Sequence, residues 1–249
     1  MKQLIDSTSN GFFDFGFPIL NENIKLEKSE LIIIGSRPAV GKLQFVLNIL
    51  EYGQNNGCFI SLNKTKKEVE KIQNNIRKND KLIKQLENVG IQTAQNNYIV
   101  KYFELPTLVE LCELIVQVKD EFDYFIIDQM VWIDEDTNPL FSKEKNYQNI
   151  LRHLKVLANV LNKNIILVSS IHHIVEYKNS FNFTYHGIRE KHVDYLFVLH
   201  RPSYYGLTSF WMYDNVASDD VFFCIAKSKD THDETHFRLT YNFHTNTFM

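Results

Sequence analysis

Proline and glycine are scarce, five and nine of 249 residues, and no Pro- or Gly-rich linker divides the chain, so one α/β domain over residues 1–249 is expected. The three cysteines, Cys58, Cys112 and Cys224, are odd in number, widely spaced and set among apolar neighbours. That excludes a disulfide framework and suits buried thiols in a reducing compartment, so a cytoplasmic protein is expected. No apolar run approaches the roughly 18 to 20 residues of a membrane helix, and the opening residues lack the hydrophobic region of a signal peptide, so neither membrane nor export is expected. Charge of one sign is lacking too. With 27 basic and 30 acidic residues the net charge is −3, so any binding to nucleic acid must come from a local patch.

What the chain does have is 44% hydrophobic residues, arranged as short apolar runs alternating with long amphipathic stretches. This is the pattern of strands and helices building a mostly parallel sheet. Strands are expected at 31–34, 58–62, 98–103, 124–128, 165–169, 195–199, 221–226 and 237–243. The last two are read as antiparallel, because the gap between them is too short for a helical crossover. Helices are expected at 42–54, 64–88, 108–118 and 143–162. In the last, Tyr147, Ile150, Leu151, Leu154, Leu157, Ala158 and Leu161 recur at three- and four-residue spacing. The polar helix 64–88 is expected to break near Asn79 and Asp80, and 134–145 and 175–184 are the expected disordered stretches.

After the apolar run Leu31-Ile32-Ile33-Ile34-Gly35 the chain reads Ser36-Arg37-Pro38-Ala39-Val40-Gly41-Lys42, which is how a phosphate-binding loop begins. In such a loop, backbone N–H groups cradle phosphates at the start of a helix, a Lys adds positive charge, and a hydroxyl on the next residue holds Mg²⁺. The next residue here is Leu43, which cannot hold a metal.

Downstream, Phe59-Ile60-Ser61-Leu62, Ile126-Ile127-Asp128, Leu154-Lys155-Val156-Leu157-Ala158, Ile166-Leu167-Val168-Ser169, Leu199-His200-Arg201 and Ile225-Ala226-Lys227 follow in order. With the loop, this set resembles the C-terminal, RecA-like ATPase domain of replicative helicases of the DnaB family, from Asn10-Gly11-Phe12 to Asn246-Thr247-Phe248. The resemblance implies an α/β, RecA-like P-loop NTPase fold, with helices flanking a central, mostly parallel sheet and an antiparallel C-terminal extension. It implies ATP and Mg²⁺ as cofactors, with the phosphates against Ser36, Arg37, Pro38, Ala39, Val40, Gly41, Lys42 and Leu43. Asp128 stands where the family has the acid that orients Mg²⁺ through water. Lys227 and Lys229 stand where the family supplies cations in trans to a neighbouring subunit, so a homo-oligomer and single-stranded DNA are implied partners.

The departures fall around one phosphate. The family's Ser-Leu-Glu, whose Glu activates the attacking water, is Ser61-Leu62-Asn63 here, and losing a general base typically costs about 10² to 10⁴ in rate. Tyr-Leu-Gln becomes Gln129-Met130-Val131, the strand end Ser-Gln becomes Ser169-Ser170, and Lys-Gln-Arg becomes Lys227-Ser228-Lys229, which keeps charge but loses the bidentate fork. The DNA-facing Arg-Glu-Ser becomes Thr184-Tyr185-His186. No counterpart of the family's N-terminal domain and linker helix is expected. The expected protein is a pseudo-ATPase that binds a nucleotide weakly or not at all and works in DNA replication or recombination through protein or nucleic-acid binding, docking on a replication or recombination protein or a true helicase. Two other readings stay open: an active ATP-dependent DNA helicase working as an oligomer, and a single-stranded nucleic-acid binding module.

The binding module would use the most basic stretch, with Lys64, Lys66, Lys67, Lys71, Arg77, Lys78, Lys81 and Lys84 against Glu68, Glu70 and Asp80, which is equally the composition of a solvated helix face. The aromatic runs Arg201-Pro202-Ser203-Tyr204-Tyr205 and Phe210-Trp211-Met212-Tyr213 suit base stacking or edge-strand packing. His232 and His236 have zinc-helix spacing, but they bridge the last two expected strands and share no helical face, so no metal is expected there. His172 and His173 follow an expected strand at its carboxyl end, with His186, His192 and His200 downstream, and either a site or local hydrogen bonding is consistent with that.

Overall fold

The computed structural model describes residues 12–62, 64–87, 99–102, 106–130, 133, 143–170, 175–177, 180–182, 191–229 and 235–249. In chain order they form α1 (Pro18–Asn23), β1 (Leu31–Ser36), α2 (Lys42–Tyr52), β2 (Gly57–Ser61), α3 (Lys66–Glu87), β3 (Ile99–Tyr102), α4 (Leu108–Val118), β4 (Tyr124–Asp128), α5 (Lys143–Leu161), β5 (Asn164–Ser170), β6 (Val175–Tyr177), β7 (Ser180–Asn182), β8 (Tyr195–His200), β9 (Ser209–Phe210), β10 (Tyr213–Asp214), β11 (Asp220–Lys227), β12 (Thr235–Asn242) and β13 (Thr247–Phe248). Nine strands make one sheet in the order β13-β12-β11-β8-β1-β5-β4-β2-β3. From β8 across to β3 all neighbours are parallel. Beyond β8, strands β11, β12 and β13 continue the sheet antiparallel.

The apolar runs become parallel strands because both faces of the sheet are covered. On one face Ile32, Ile34, Tyr124, Ile126, Ile166, Val168 and Phe197 pack with Phe45, Val46, Ile49 and Leu50 of α2 and Val69 and Ile76 of α3. On the other Leu31, Ile33, Phe125, Ile127, Ile165, Leu167 and Val198 pack with Leu111 and Ile115 of α4 and Leu151, Leu154 and Ala158 of α5. Successive residues of one strand thus enter opposite cores, the period of two that a pleated strand imposes.

All eight expected strands are present, with ends moved by one or two residues, and β11 and β12 pair antiparallel as expected. Two expectations are corrected. The helix predicted to break at Asn79 and Asp80 runs unbroken as α3, since neither residue removes a backbone donor as proline would. Within 175–184, expected to be disordered, β6 and β7 pair as an antiparallel hairpin; in 134–145, residues 143–145 are helical and the rest lie outside the described residues. The aromatic run Phe210 to Tyr213 is a hairpin, β9 with β10, whose Phe210 is buried against His200 and Phe222 while Met212 at the tip is exposed.

His200 ends β8 only 1% exposed, stacked on Tyr205 at 5.3 Å and on Phe210 at 4.9 Å, and burial pushes its imidazole down to about 3. It is a neutral packing residue. His236, on β12, packs against the rings of Trp211 and Phe210, and His192 lies just ahead of β8. His172, His173, His186 and His232 lie outside the described residues.

The segment ahead of β1, for which no element was expected, plugs the core with Phe13, Phe15 and Phe17. Phe15 meets Phe197 and Phe223 edge-on, both at 6.0 Å, and Phe13 meets Tyr124 at 4.8 Å. The plug seats because Gly16, at φ +75, lies against the end of α2, where an added Cβ would fall 2.7 Å from the backbone of Tyr52 and Gly53. Gly16→Ala is therefore expected to destabilise the fold by more than about 1 kcal/mol in denaturant unfolding, through both the left-handed backbone and the backbone clash.

Candidate nucleotide site

β1 delivers the loop to the carboxyl edge of the parallel strands, where α/β proteins bind ligands. Ser36 is fully buried and its hydroxyl donates to the Arg37 carbonyl at 2.8 Å. The chain turns through Ala39, at φ 65, with the Val40 amide donating to the Arg37 carbonyl at 3.4 Å. Gly41 then caps α2 at φ 110 and ψ 20, a conformation that side-chain-bearing residues rarely adopt. A Cβ there would also stand 3.3 Å from the Phe248 ring. No side chain among the described residues caps α2, so its first-turn amides and its positive dipole end are available to an anion.

The wall beside Gly41 is the C-terminal strand pair. Phe248 stacks on Tyr241 at 4.5 Å and meets Phe45 edge-on at 5.3 Å. Asn48 of α2, fully buried, fastens it by donating to the Asn246 carbonyl at 2.8 Å and accepting from the Phe248 amide at 3.1 Å. Arg201 lies 4.2 Å over the Phe243 ring, and Arg37 of the loop lies 5.4 Å over Tyr205.

Asp128 ends β4, two strands from β1, and is 2% exposed, with no hydrogen-bond partner for its Oδ1 among the described residues. Burial pushes its carboxyl up to about 6, while Lys42 and Lys64 pull it back. Burial likewise lowers the Lys42 ammonium, which Asp128 supports and Lys64 opposes. These three charges therefore act on one another at the carboxyl edge, and a buried carboxylate oxygen without a partner among the described residues marks a site that a ligand completes. Between Asp128 and the loop runs β5, whose Ser170 pairs in register with Ser36 and whose hydroxyl accepts a hydrogen bond from the Gln129 side-chain Nε2 at 3.3 Å.

Lys64 was legible only as part of a basic stretch, and the structure gives it another address. Ser61 pairs with Asp128 across β2 and β4, and the Leu62 amide donates to the Asp128 carbonyl at 2.6 Å. The Ser61 hydroxyl then closes a turn, donating to the Lys64 carbonyl at 3.0 Å and accepting its amide at 3.2 Å. The signal in the sequence was Lys64's place just past the carboxyl end of a strand. Along α3 the basic charge is partly offset, Lys66 by Glu70 at 3.7 Å and Arg77 by Glu51 at 3.0 Å.

The structure brings Ser36 to Leu43 and Asp128 to one edge and leaves Lys227 and Lys229 at the other. Lys227 pairs in register with Leu196, near the start of β8, and its ammonium donates to the Val193 carbonyl. Lys229 donates to Glu27 at 3.0 Å and to Glu30, and chiefly the Glu30 bond raises its pKa. Glu30 itself, 3% exposed, is raised by burial. Asn63 and Val131 lie outside the described residues.

A phosphoryl anion fits this arrangement: uncapped helix amides, a glycine that lets the backbone approach, and Lys42. A divalent metal fits poorly. Leu43, at the position that needs a hydroxyl, is half-buried and packed against the core on the α2 face. Among the described residues no group of three His, Cys, Asp or Glu is placed to hold a metal ion.

A phosphate loop after the first strand, a buried acid ending a strand two away and antiparallel strands closing one edge define a RecA-like P-loop protein. Residues 13–249 match the model of the DnaB-like helicase C terminal domain, and the chain belongs to that family. Among solved structures, an ATPase domain is similar at 18% identity and a TM-score of 0.76, covering 96% of this chain and 92% of that one. A DnaB-like replicative helicase, solved with a view to its interactions with primase, is similar at 18% identity and a TM-score of 0.73; 94% of this chain matches 62% of that one. A KaiC-like protein from the hyperthermophilic archaeon Pyrococcus horikoshii OT3 is similar at 14% identity and a TM-score of 0.60, over 95% and 97% of the two chains. A comparison with curated proteins finds no match.

Because Asp128 carries a folded pKa of about 6 against 3.8, the native state keeps a proton that the unfolded chain releases between those values, and stability falls as pH rises through that window. Asp128→Asn is expected to stabilise the protein by on the order of 1–3 kcal/mol above pH ~6, with the gain vanishing below pH ~4, read from melting curves across pH.

Proposed function

We propose that the chain is a catalytically impaired relative of the DnaB-type helicase domains, a single RecA-like unit that binds a nucleoside triphosphate at Ser36 to Leu43 without helicase-like turnover. It acts in DNA replication or recombination, in the cytoplasm, by docking on a replication protein or a true helicase. Domains of this family generally bind ATP and Mg²⁺, and the DnaB-like helicase among its structural neighbours interacts with primase.

The observation that carries the reading is Leu43, which is packed into the core where a metal-binding hydroxyl would have to face the phosphates. In this site the loop amides and Lys42 hold the phosphates, and Asp128 is the acid left to orient a water. Mg²⁺ has little to hold it there, since Leu43 offers no hydroxyl and Asp128 would reach a metal only through water. Asn63 cannot take a proton from an attacking water. Lys227 and Lys229, which a neighbouring subunit would need to find free, are engaged within their own chain.

A second reading, an active ATPase working as an oligomer, is favoured by one observation: Lys42 and Asp128, whose Oδ1 has no hydrogen-bond partner among the described residues, act on each other electrostatically at one sheet edge. Among the described residues no helix is long and apolar enough to cross a membrane. Isothermal titration with ATP and Mg²⁺, run beside a turnover assay, separates the readings. Binding without turnover is expected, with turnover appearing only after Leu43→Thr is combined with Asn63→Glu. Fast hydrolysis by the unaltered protein would overturn the proposal.

A further inference from the structure

We infer that Lys64 takes the place of the metal: the site holds the phosphates of a nucleoside triphosphate between the ammonium groups of Lys42 and Lys64, without needing Mg²⁺. The inference rests on the nucleotide reading above and names how that same site neutralises its ligand.

The geometry comes from three fastenings of the turn after β2. The Ser61–Asp128 pairing sets the end of β2 beside the end of β4, and the Leu62 amide bonds the Asp128 carbonyl at 2.6 Å. The Ser61 hydroxyl bonds both backbone groups of Lys64, at 3.0 and 3.2 Å, so this residue cannot swing away with the chain. Immediately after it, Thr65 and Glu68 form a reciprocal cap on α3. The Thr65 amide donates to Glu68 Oε2 at 2.9 Å, and the Glu68 amide to Thr65 Oγ1 at 3.4 Å. Glu68 Oε1 then stands 3.5 Å from the ammonium of Lys64, whose side chain is 39% exposed. Lys64 is thus anchored by its backbone and guided by its side chain, with part of its surface still open to a ligand.

The electrostatics agree. The charges of Lys42 and Lys64 both reach Asp128, and that of Lys64 reaches Lys42. Two like charges at one sheet edge repel each other, and an anion between them relieves the repulsion. Lysine suits the task, being a compact point charge on a flexible stem that meets phosphate oxygens without demanding fixed ligand geometry. A divalent ion would need oxygen donors in a near-octahedral set, and Leu43 withholds the one its position would contribute. Lys64 adds one positive charge to that of Lys42, half the charge that Mg²⁺ would bring.

The test is titration of ATP into the full chain, once in EDTA and once in Mg²⁺, for the unaltered protein, Lys64→Gln, Lys64→Arg and Lys42→Ala. Melting curves check that each variant is folded. Expected are affinities in EDTA and Mg²⁺ within about threefold of each other, a loss of about tenfold in EDTA for Lys64→Gln, and recovery of most of it in Lys64→Arg. A gain of tenfold or more from Mg²⁺ in the unaltered protein would overturn the inference while leaving nucleotide binding intact, as would an unchanged affinity in Lys64→Gln. Absence of binding in both solutions, with Lys42→Ala indistinguishable from the unaltered chain, would overturn the nucleotide reading itself.

Discussion

Because β1, β4, β5 and β8 are covered on both faces, a one-residue slip in any pairing would exchange side chains between two separate cores, so the parallel register is held tightly. Everything at the carboxyl edge depends on that register. It sets Ser36 opposite Ser170 and Ser61 opposite Asp128, and so decides which strand ends share one site. The hydrophobic effect, which has no direction of its own, acquires one through the pleat and becomes a positional constraint on charged residues that take no part in the core.

The loop is also held by groups that have no contact with phosphate. Asn48 spends both ends of its amide on the final turn of the chain and on α2 itself, which keeps Phe248 against Gly41. Across the loop, Arg37, Tyr205, His200 and Phe210 form a column of stacked planar groups from the site to the β9–β10 hairpin. Leu43 adds apolar packing from inside. A loop supported this way keeps its conformation for reasons of packing. The family's nucleotide-shaped loop and the substitutions around it are therefore compatible in one molecule.

Much of this was legible in the chain. Strands β1 to β5, β8, β11 and β12, the four long helices and the phosphate loop follow from apolar periodicity and one motif, because burial on two faces writes itself into sequence as continuous apolar runs. Less legible were elements whose stability is not local. The Phe13, Phe15 and Phe17 plug carries no helix or strand pattern and is held by rings from β4, β8 and β11. The β6–β7 and β9–β10 hairpins are too short to show a period. Lys64 read as one lysine among many, since a charge has no periodicity and its role comes from what the fold sets beside it.

By itself the sequence determined the class of fold, the place of the loop and the loss of a hydroxyl at Leu43 and of a carboxylate at Asn63, because each is a property of residue identity or of short-range spacing. Only the tertiary structure decided that Lys64 stands at the same sheet edge as Lys42 and Asp128, and that Lys227 and Lys229 sit at the opposite edge, tied to Val193, Glu27 and Glu30. The reason is physical: electrostatic partners are chosen by distance in space, and that distance is set by strand register and direction across the whole sheet.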